Sequence, residues 1–145
     1  MVTQAMTKAL KTRVQRVQNA CIRYIFGLRK YDHISPYLLR LNTLNMEGRI
    51  KSHALTLMHK IVKKISPTYL TEKLSYRQDI HNHNTRNRNT LNIRRLHTAK
   101  KNDAFFIKTT KDYNILTQTG VCCVDDSINS FKTKCVKNLK LKQFE

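Results

Sequence analysis

Residues 13–44 read RVQRVQNACIRYIFGLRKYDHISPYLLRLNTL, and the fold prediction starts from this stretch. Its apolar residues recur every three or four positions, which is the spacing of one face of a helix. Gly27 follows that pattern and is well placed to end the helix, because glycine adopts positive φ without a Cβ clash. Ser35 and Pro36 then match an N-cap and a proline at the first helical position. A second, short helix is therefore expected at 36–41.

Three longer helices are expected at 7–26, 46–65 and 127–141, and a short one follows Ser66 and Pro67. Asn45 is expected to cap the second long helix, and Asp126 or Ser127 the third, because short polar side chains accept hydrogen bonds from the first free N–H groups of a helix. The side chains expected in the core include Val17, Cys21, Leu57 and Ile61. The stripe expected to face inward on the first helix is Leu10, Val14, Val17, Cys21, Tyr24, Ile25 and Leu28.

Composition supports a helical fold. Of 145 residues 40% are apolar, and only three Gly and two Pro occur, which favours helices over a turn-rich β fold. The predicted fold class is mainly α, a small helical bundle with a basic irregular segment and at most one short β-hairpin. Leu91, Ile93 and Leu96 are the candidates for a short strand. The expected division is a helical subdomain at 1–76, a connecting segment rich in Asn, Arg and His at 77–102, and a C-terminal aromatic and helical segment at 103–145.

Charge is the strongest global signal. Lys and Arg number 28 against nine Asp and Glu, which gives a net charge of +19. Such an excess of one sign repels itself and is tolerated most easily beside a polyanion. No acid precedes Asp32, and a second acid-free window runs over 80–102. The alternative is a solvated surface that merely lacks acids.

The two acid-free windows predict a surface that binds the backbone of RNA or DNA. Arg and Lys contact phosphates, and the second window lacks the hydrophobic anchors of a base-reading element. Arg86, Arg88, Arg94 and Arg95 are expected to contribute most, because guanidinium fits phosphate bidentately and stacks on exposed bases. The residues assigned to this surface are Arg13, Arg16, Arg23, Arg29, Lys30, Arg86, Arg88, Arg94, Arg95, Lys100 and Lys101.

The residues that carry chemistry in enzymes form no recognisable set. Asp125 and Asp126 are the only acidic doublet, and acids at a helix start usually act as caps that interact with the helix dipole. His81 and His83 lack a third metal ligand nearby, and with three glycines no phosphate-binding glycine loop is present. We expect no catalytic residue, no metal, no cofactor and no small-molecule substrate. The histidines interpreted as isolated are His33, His53, His59 and His97.

Cysteine usage and hydropathy bear on the compartment. The four cysteines show neither a disulfide framework nor a CxxC pair, which indicates a reducing compartment, nuclear or cytoplasmic. No apolar run approaches the ~20 residues that span a bilayer, so no membrane partner is expected. The acid-free N-terminus resembles a mitochondrial presequence only in part, because no Ser precedes Ser35. The oligomeric state stays open.

An ordered set of short motifs resembles one known family. RVQNACIRYIFGL at 16–28, HISPYLLRLNTLNMEGRI at 33–50, HKIVKKISPTYLTEKL at 59–74 and HNHNTRNRNTLNI at 81–93 are followed by AFF, YNIL and INSFKTKCVKNL. In this order they are similar to the region downstream of the polymerase palm in reverse transcriptases of jockey-like non-LTR retrotransposons. The resemblance runs from about residue 13 to 141. The chain departs from the family pattern at Thr43, Asn45, Tyr113 and Thr117.

The resemblance implies a thumb or post-palm segment that helps hold template and primer, or the RNA of the element. The fingers, the palm and its catalytic aspartates are absent from this sequence, so the resemblance implies no chemistry in this chain. The expected function is that of a non-catalytic, nucleic-acid-binding remnant of an RNA-directed DNA polymerase. The alternatives are an orphan fragment with no selected activity, or part of a longer active reverse transcriptase.

Overall fold

A computed structural model describes residues 7–80, 85–93 and 104–144 of the chain. Within these ranges the backbone forms six α-helices and no strand, so the predicted mainly helical fold is confirmed. A 3-10 turn lies at Arg77–Asp79. The helices are α1 (Lys8–Phe26), α2 (Ser35–Arg40), α3 (Met46–Val62), α4 (Thr68–Thr71), α5 (Phe105–Gln118) and α6 (Ile128–Phe144).

Helix α3 lies at the centre of the fold and packs against α6, α5, α1 and α4. It contributes Leu55 and Met58, both fully buried, to a core that α5 and α6 complete from the other end of the sequence. Ile61 is also buried, as predicted, whereas Leu57 is only half-buried. The remaining members of the core cluster are Leu91, Tyr113, Leu116, Cys122, Phe131 and Cys135.

The helix ends largely follow the predicted caps. The Asn45 side chain accepts a hydrogen bond of 2.7 Å from the Gly48 N–H, and Ser127 accepts one of 3.2 Å from Ser130. Gly27 ends α1 with φ of 61°. The expected Ser35 cap is wrong: Ser35 is the first residue of α2, and its N-cap is Ile34, which makes no side-chain cap bond.

The predicted inner face of α1 is also wrong. Val17 is 63% exposed and Tyr24 91%, and Cys21 is exposed as well, whereas Ile22, which lies outside the predicted stripe, is only 3% exposed. The reason is that α1 docks through amide side chains. The Gln15 Oε1 accepts a hydrogen bond of 2.9 Å from the Met46 N–H, one of the free donors at the start of α3.

The expected short strand is reduced to one antiparallel bridge between Tyr76 and Leu91. Residue 96 lies outside the described residues, and the chain is helical again from Phe105. Leu91 is 2% exposed, so the basic segment does contain a core anchor. The side chain of Asn114 fixes it, because its Oδ1 accepts from the Leu91 N–H at 3.1 Å and its Nδ2 donates to the Leu91 carbonyl at 2.8 Å.

Candidate nucleic-acid interface

The first basic window is displayed by α1 and by the loop that follows it. Arg13 and Arg16 are exposed on the helix, and Arg29 and Lys30 are exposed after Gly27. Arg23 differs, because it is half-buried and its Nε is buried without a hydrogen-bond partner among the described residues. Four of the five cations assigned to this window therefore face solvent.

The second basic window is displayed by a turn that is held on the core. Arg86 and Arg88 are exposed in the segment 85–92, which is tied to the preceding 3-10 turn by the Arg77 N–H, donating to the Thr90 carbonyl at 3.0 Å. Since the turn is anchored at Leu91, Arg86 projects from a supported backbone rather than a free loop. The other assigned cations of this window, Arg94, Arg95, Lys100 and Lys101, lie outside the described residues.

The two windows are carried by different parts of the fold. Helix α1 packs on α3, whereas the turn at 85–92 is held by Asn114 of α5. The exposed Arg and Lys residues that the structure describes in either window, apart from Arg88, are called the exposed interface cations. They are Arg13, Arg16, Arg29, Lys30 and Arg86.

A cleft of about 1040 Å³ lies beside α1 and is lined by cations from two helices. Lys8, Lys11 and Arg16 line it from α1, and Lys108 lines it from α5. Glu47 is the one acid among the described residues of its lining. Sequence reasoning missed Lys108 because it lies just outside the second acid-free window, and only the packing of α1 and α5 around α3 brings it to the cleft beside α1.

Several acids of the described ranges serve the fold locally. Asp32 accepts a hydrogen bond of 2.7 Å from the Arg29 N–H, and Asp79 accepts one of 2.9 Å from the Tyr76 N–H. Asp112 pairs with Lys51 at 3.1 Å, and Asp126 pairs with Lys134 at 2.7 Å. None of these ion pairs uses an exposed interface cation, so the positive charge of the two windows is not neutralised by them.

The capping role predicted for the acidic doublet falls instead to Ser127, and Asp126 acts in the turn that precedes α6. Asp126 accepts a hydrogen bond of 2.8 Å from the Cys123 N–H through Oδ2, while Oδ1 binds the Lys134 ammonium. The hydrogen bond from Lys134, with that from Cys123, lowers the pKa of the Asp126 carboxyl. In the described part of the chain no three His, Cys, Asp or Glu side chains are grouped so that they could hold a metal ion.

His59 is not isolated, contrary to the sequence interpretation. It is fully buried, with Nδ1 3.1 Å from the Tyr113 hydroxyl and Nε2 2.9 Å from the Asp126 carbonyl oxygen. Burial is the main cause that lowers the pKa of the imidazole. No local motif marks this residue, because its polar partners come from α5 and from the segment before α6.

The cysteines form no disulfide. Cys122 and Cys135 are buried in the core, and Cys21 and Cys123 are exposed. Burial raises the pKa of the Cys135 thiol to about 12, so this side chain serves as a small apolar group.

None of the helices in the described ranges has the length and apolarity needed to span a bilayer.

Comparison of the chain with protein-family models, curated proteins and solved structures finds no match in any of the three. The resemblance to a reverse transcriptase region therefore stays a prediction.

Proposed function

We propose that this chain binds the sugar-phosphate backbone of RNA or DNA and catalyses no reaction itself. The observation that carries the proposal is the set of exposed interface cations, which pair with no acid of the described residues while nearby acids such as Asp32 and Asp79 bind backbone N–H groups. A surface of this kind concentrates a polyanion from solution, because each bound phosphate replaces condensed counterions.

The cleft beside α1 supplies a place where one strand can lie. Lys8, Lys11 and Arg16 approach it from one side and Lys108 from another, so a phosphate inside it meets cations from two helices. Among the residues that the structure describes, its lining contains no aromatic ring on which a base could stack. We therefore expect backbone binding with little sequence preference.

The proposal includes an origin for the chain. The ordered motifs between residues 13 and 141 support descent from the post-palm region of a non-LTR retrotransposon reverse transcriptase, whose substrates are nucleic acids. In that case the binding surface is a remnant of template and primer holding. An orphan fragment without selected activity is distinguished by whether the transcript and the protein are detected, and part of a longer active enzyme predicts a palm encoded immediately upstream.

The direct test is a salt titration of binding to single-stranded RNA and to duplex DNA. The variant combines Arg13→Ala, Arg16→Ala and Arg86→Ala, all at exposed positions. We expect binding to weaken for every sequence alike. The slope of log K against log salt, which is negative, should become shallower by about one for each phosphate contact removed. Replacing the same three residues by Lys should keep much of the slope.

The control removes the same charge elsewhere, with Lys132→Ala, Lys137→Ala and Lys142→Ala on α6, all exposed. It should lose less affinity than the arginine variant. Failure of the wild type to bind either nucleic acid near physiological salt would contradict the proposal. Equal losses in the two variants would show that net charge, and not this surface, determines binding.

The absence of catalysis is tested separately, on a primed template with magnesium or manganese. Polymerases position two metal ions with separated carboxylates, whereas Asp126 is engaged by Lys134 and the Cys123 N–H. We expect no primer extension by the pure chain. Extension that scales with protein concentration and survives further purification would overturn this part of the proposal.

A further inference from the structure

Helix α1 turns its apolar side to solvent. Five residues share this side, which is called the outer face of α1, and their exposure is high: 41% for Leu10, 63% for Val17 and Ile25, and 91% for Tyr24. Cys21, between them, is exposed as well. Exposed apolar residues scattered singly are normal in proteins, but a contiguous row along a helix marks a surface that binds something.

The outer face is exposed because α1 is held to the fold by its polar side. Besides the bond from the Met46 N–H to Gln15, the Gln18 Nε2 donates to the Leu44 carbonyl at 2.8 Å. Ile22 is the one residue of α1 that is fully buried on this inner side. The helix would have to break these contacts to bury its outer face against its own fold, so the face is available to a partner.

The shape of the outer face favours another helix as that partner. Leu10, Val17, Cys21 and Tyr24, together with the half-buried Val14, alternate spacings of four and three, which is the narrow seam of a helix pair, and Ile25 lies at its edge. Helices that lie in a membrane surface instead carry a broad apolar side, with Trp, Phe and Leu prominent. This chain has no Trp, and the outer face has a single aromatic ring.

Charge decides what kind of helix fits. The segment from residue 7 to 31 contains no acid, and the cations Lys11 and Arg13 lie directly beside the seam on the helix surface. A second copy of α1 would bring the same cations and no acid to the contact, which disfavours a homodimer through this face. A partner with acidic residues beside its apolar seam would meet opposite charges.

We propose that the outer face of α1 binds an amphipathic helix of another protein whose apolar seam is flanked by Asp or Glu. This interaction does not depend on nucleic-acid binding, although the cations beside the seam can serve either partner. The seam spans fewer than three heptads, so the affinity is moderate and relies on both the apolar contacts and the charges.

The test uses a designed peptide of about 21 residues with Leu and Ile at the a and d positions of three heptads and Glu at the e and g positions. Its binding to the full chain is followed by fluorescence anisotropy. We expect the peptide to bind the wild type, and a peptide with Lys in place of Glu to bind far more weakly. Combining Val17→Ser with Ile25→Ser should weaken binding by about tenfold or more.

Two controls separate this face from the rest of the surface. Ile115→Ser with Leu141→Ser changes two apolar residues of similar exposure, 50% and 60%, on other helices and should leave peptide binding unchanged. The bound peptide should also slow alkylation of Cys21 by iodoacetamide without slowing that of Cys123, since both thiols are exposed in the free chain.

Several outcomes overturn the proposal. These are equal binding of the Glu and Lys peptides, no effect of the Val17 and Ile25 changes, and no protection of Cys21. Binding to phosphatidylserine vesicles that depends on Val17 and Ile25, without peptide binding, assigns the face to a membrane. A dimer in sedimentation that Val17→Ser abolishes assigns it to a second copy. The serine variant keeps every cation, so its salt titration with RNA tests the proposed function independently.

Discussion

The imidazole of His59 stacks on the ring of Phe131, with 4.1 Å between the ring centroids and 8° between the planes. The Asp126 carbonyl can only accept a hydrogen bond, so the ring nitrogen facing it, Nε2, carries the proton. The other nitrogen, Nδ1, then accepts from the Tyr113 hydroxyl. Both bonds and the buried position suit the neutral ring, and a proton added to Nδ1 would remove the acceptor that Tyr113 uses.

This relationship predicts that the chain loses stability in mild acid. The folded-state pKa of His59 lies below the ordinary value of 6.5, mainly through burial and also through Lys63, while the Asp126 carbonyl bond and its ionised carboxyl oppose the shift. Below about pH 6.5 the unfolded state therefore binds more protons than the folded state, and the free energy of unfolding falls. Denaturation by urea at pH 5 to 8 measures the effect.

The matched variants for that measurement are His59→Gln and His53→Gln, on the same helix. His53 is exposed, so its replacement should leave the pH dependence intact. His59→Gln should lower stability throughout and remove the part of the slope that His59 causes. A wild type that is equally stable at pH 7 and pH 5, or a His53 variant that abolishes the dependence, would contradict the assignment.

Phe131 lies in the core and Val17 at the surface, so truncating each to Ala should change the free energy of unfolding by very different amounts. Phe131 has no exposed surface, so Phe131→Ala removes a ring that contacts His59 and Tyr113 and should lower the free energy of unfolding by about 3–5 kcal/mol. Val17 is 63% exposed, and Val17→Ala should change stability by no more than about 0.5 kcal/mol. Urea denaturation of both variants checks the pair, and similar costs would place Val17 in the core after all.

The helices could be predicted from sequence because their signals are local. Asn45 and Ser127 cap the residues three positions ahead of them, and Gly27 ends α1 with its own backbone conformation. The inner side of α1 could not be predicted in the same way. Periodicity shows that a helix has an apolar side, but the contact that orients α1 joins Gln15 to a backbone N–H 31 residues away.

The candidate interface was predictable to a similar degree. Acid-free windows mark exposed cations correctly for Arg13, Arg16 and Arg86, because unpaired charges rarely enter a core. The support beneath them was not predictable, since Leu91 is fixed by Asn114, which lies 23 residues later. The same holds for His59, whose hydroxyl partner lies 54 residues away. Pairs of that kind follow from the packing of α5 and α6 on α3 rather than from any local pattern.

The end of α3 predicts a stabilising substitution. Lys64 has φ of 58°, a left-handed conformation that costs a residue with Cβ about 1 kcal/mol or more and costs glycine almost nothing. Lys64→Gly should therefore raise the free energy of unfolding by about 1 kcal/mol. Lys64→Ala removes the same charge but keeps the Cβ, so it should give no such gain in a urea titration. Equal stabilisation by both would attribute the effect to charge instead.

The side chain of Asn114 predicts that the fold and the interface can be weakened together. Asn114→Ala leaves both the N–H and the carbonyl of the buried Leu91 without their partners, which should cost about 2–4 kcal/mol in total. The turn at 85–92 loses its support on α5, so trypsin should cut faster after Arg86 and hydrogen exchange at the Leu91 amide should speed up. The control, Asn129→Ala at an exposed site on α6, should change neither. Unchanged cleavage after Arg86 in a destabilised Asn114 variant would show that the turn is held by contacts other than this amide.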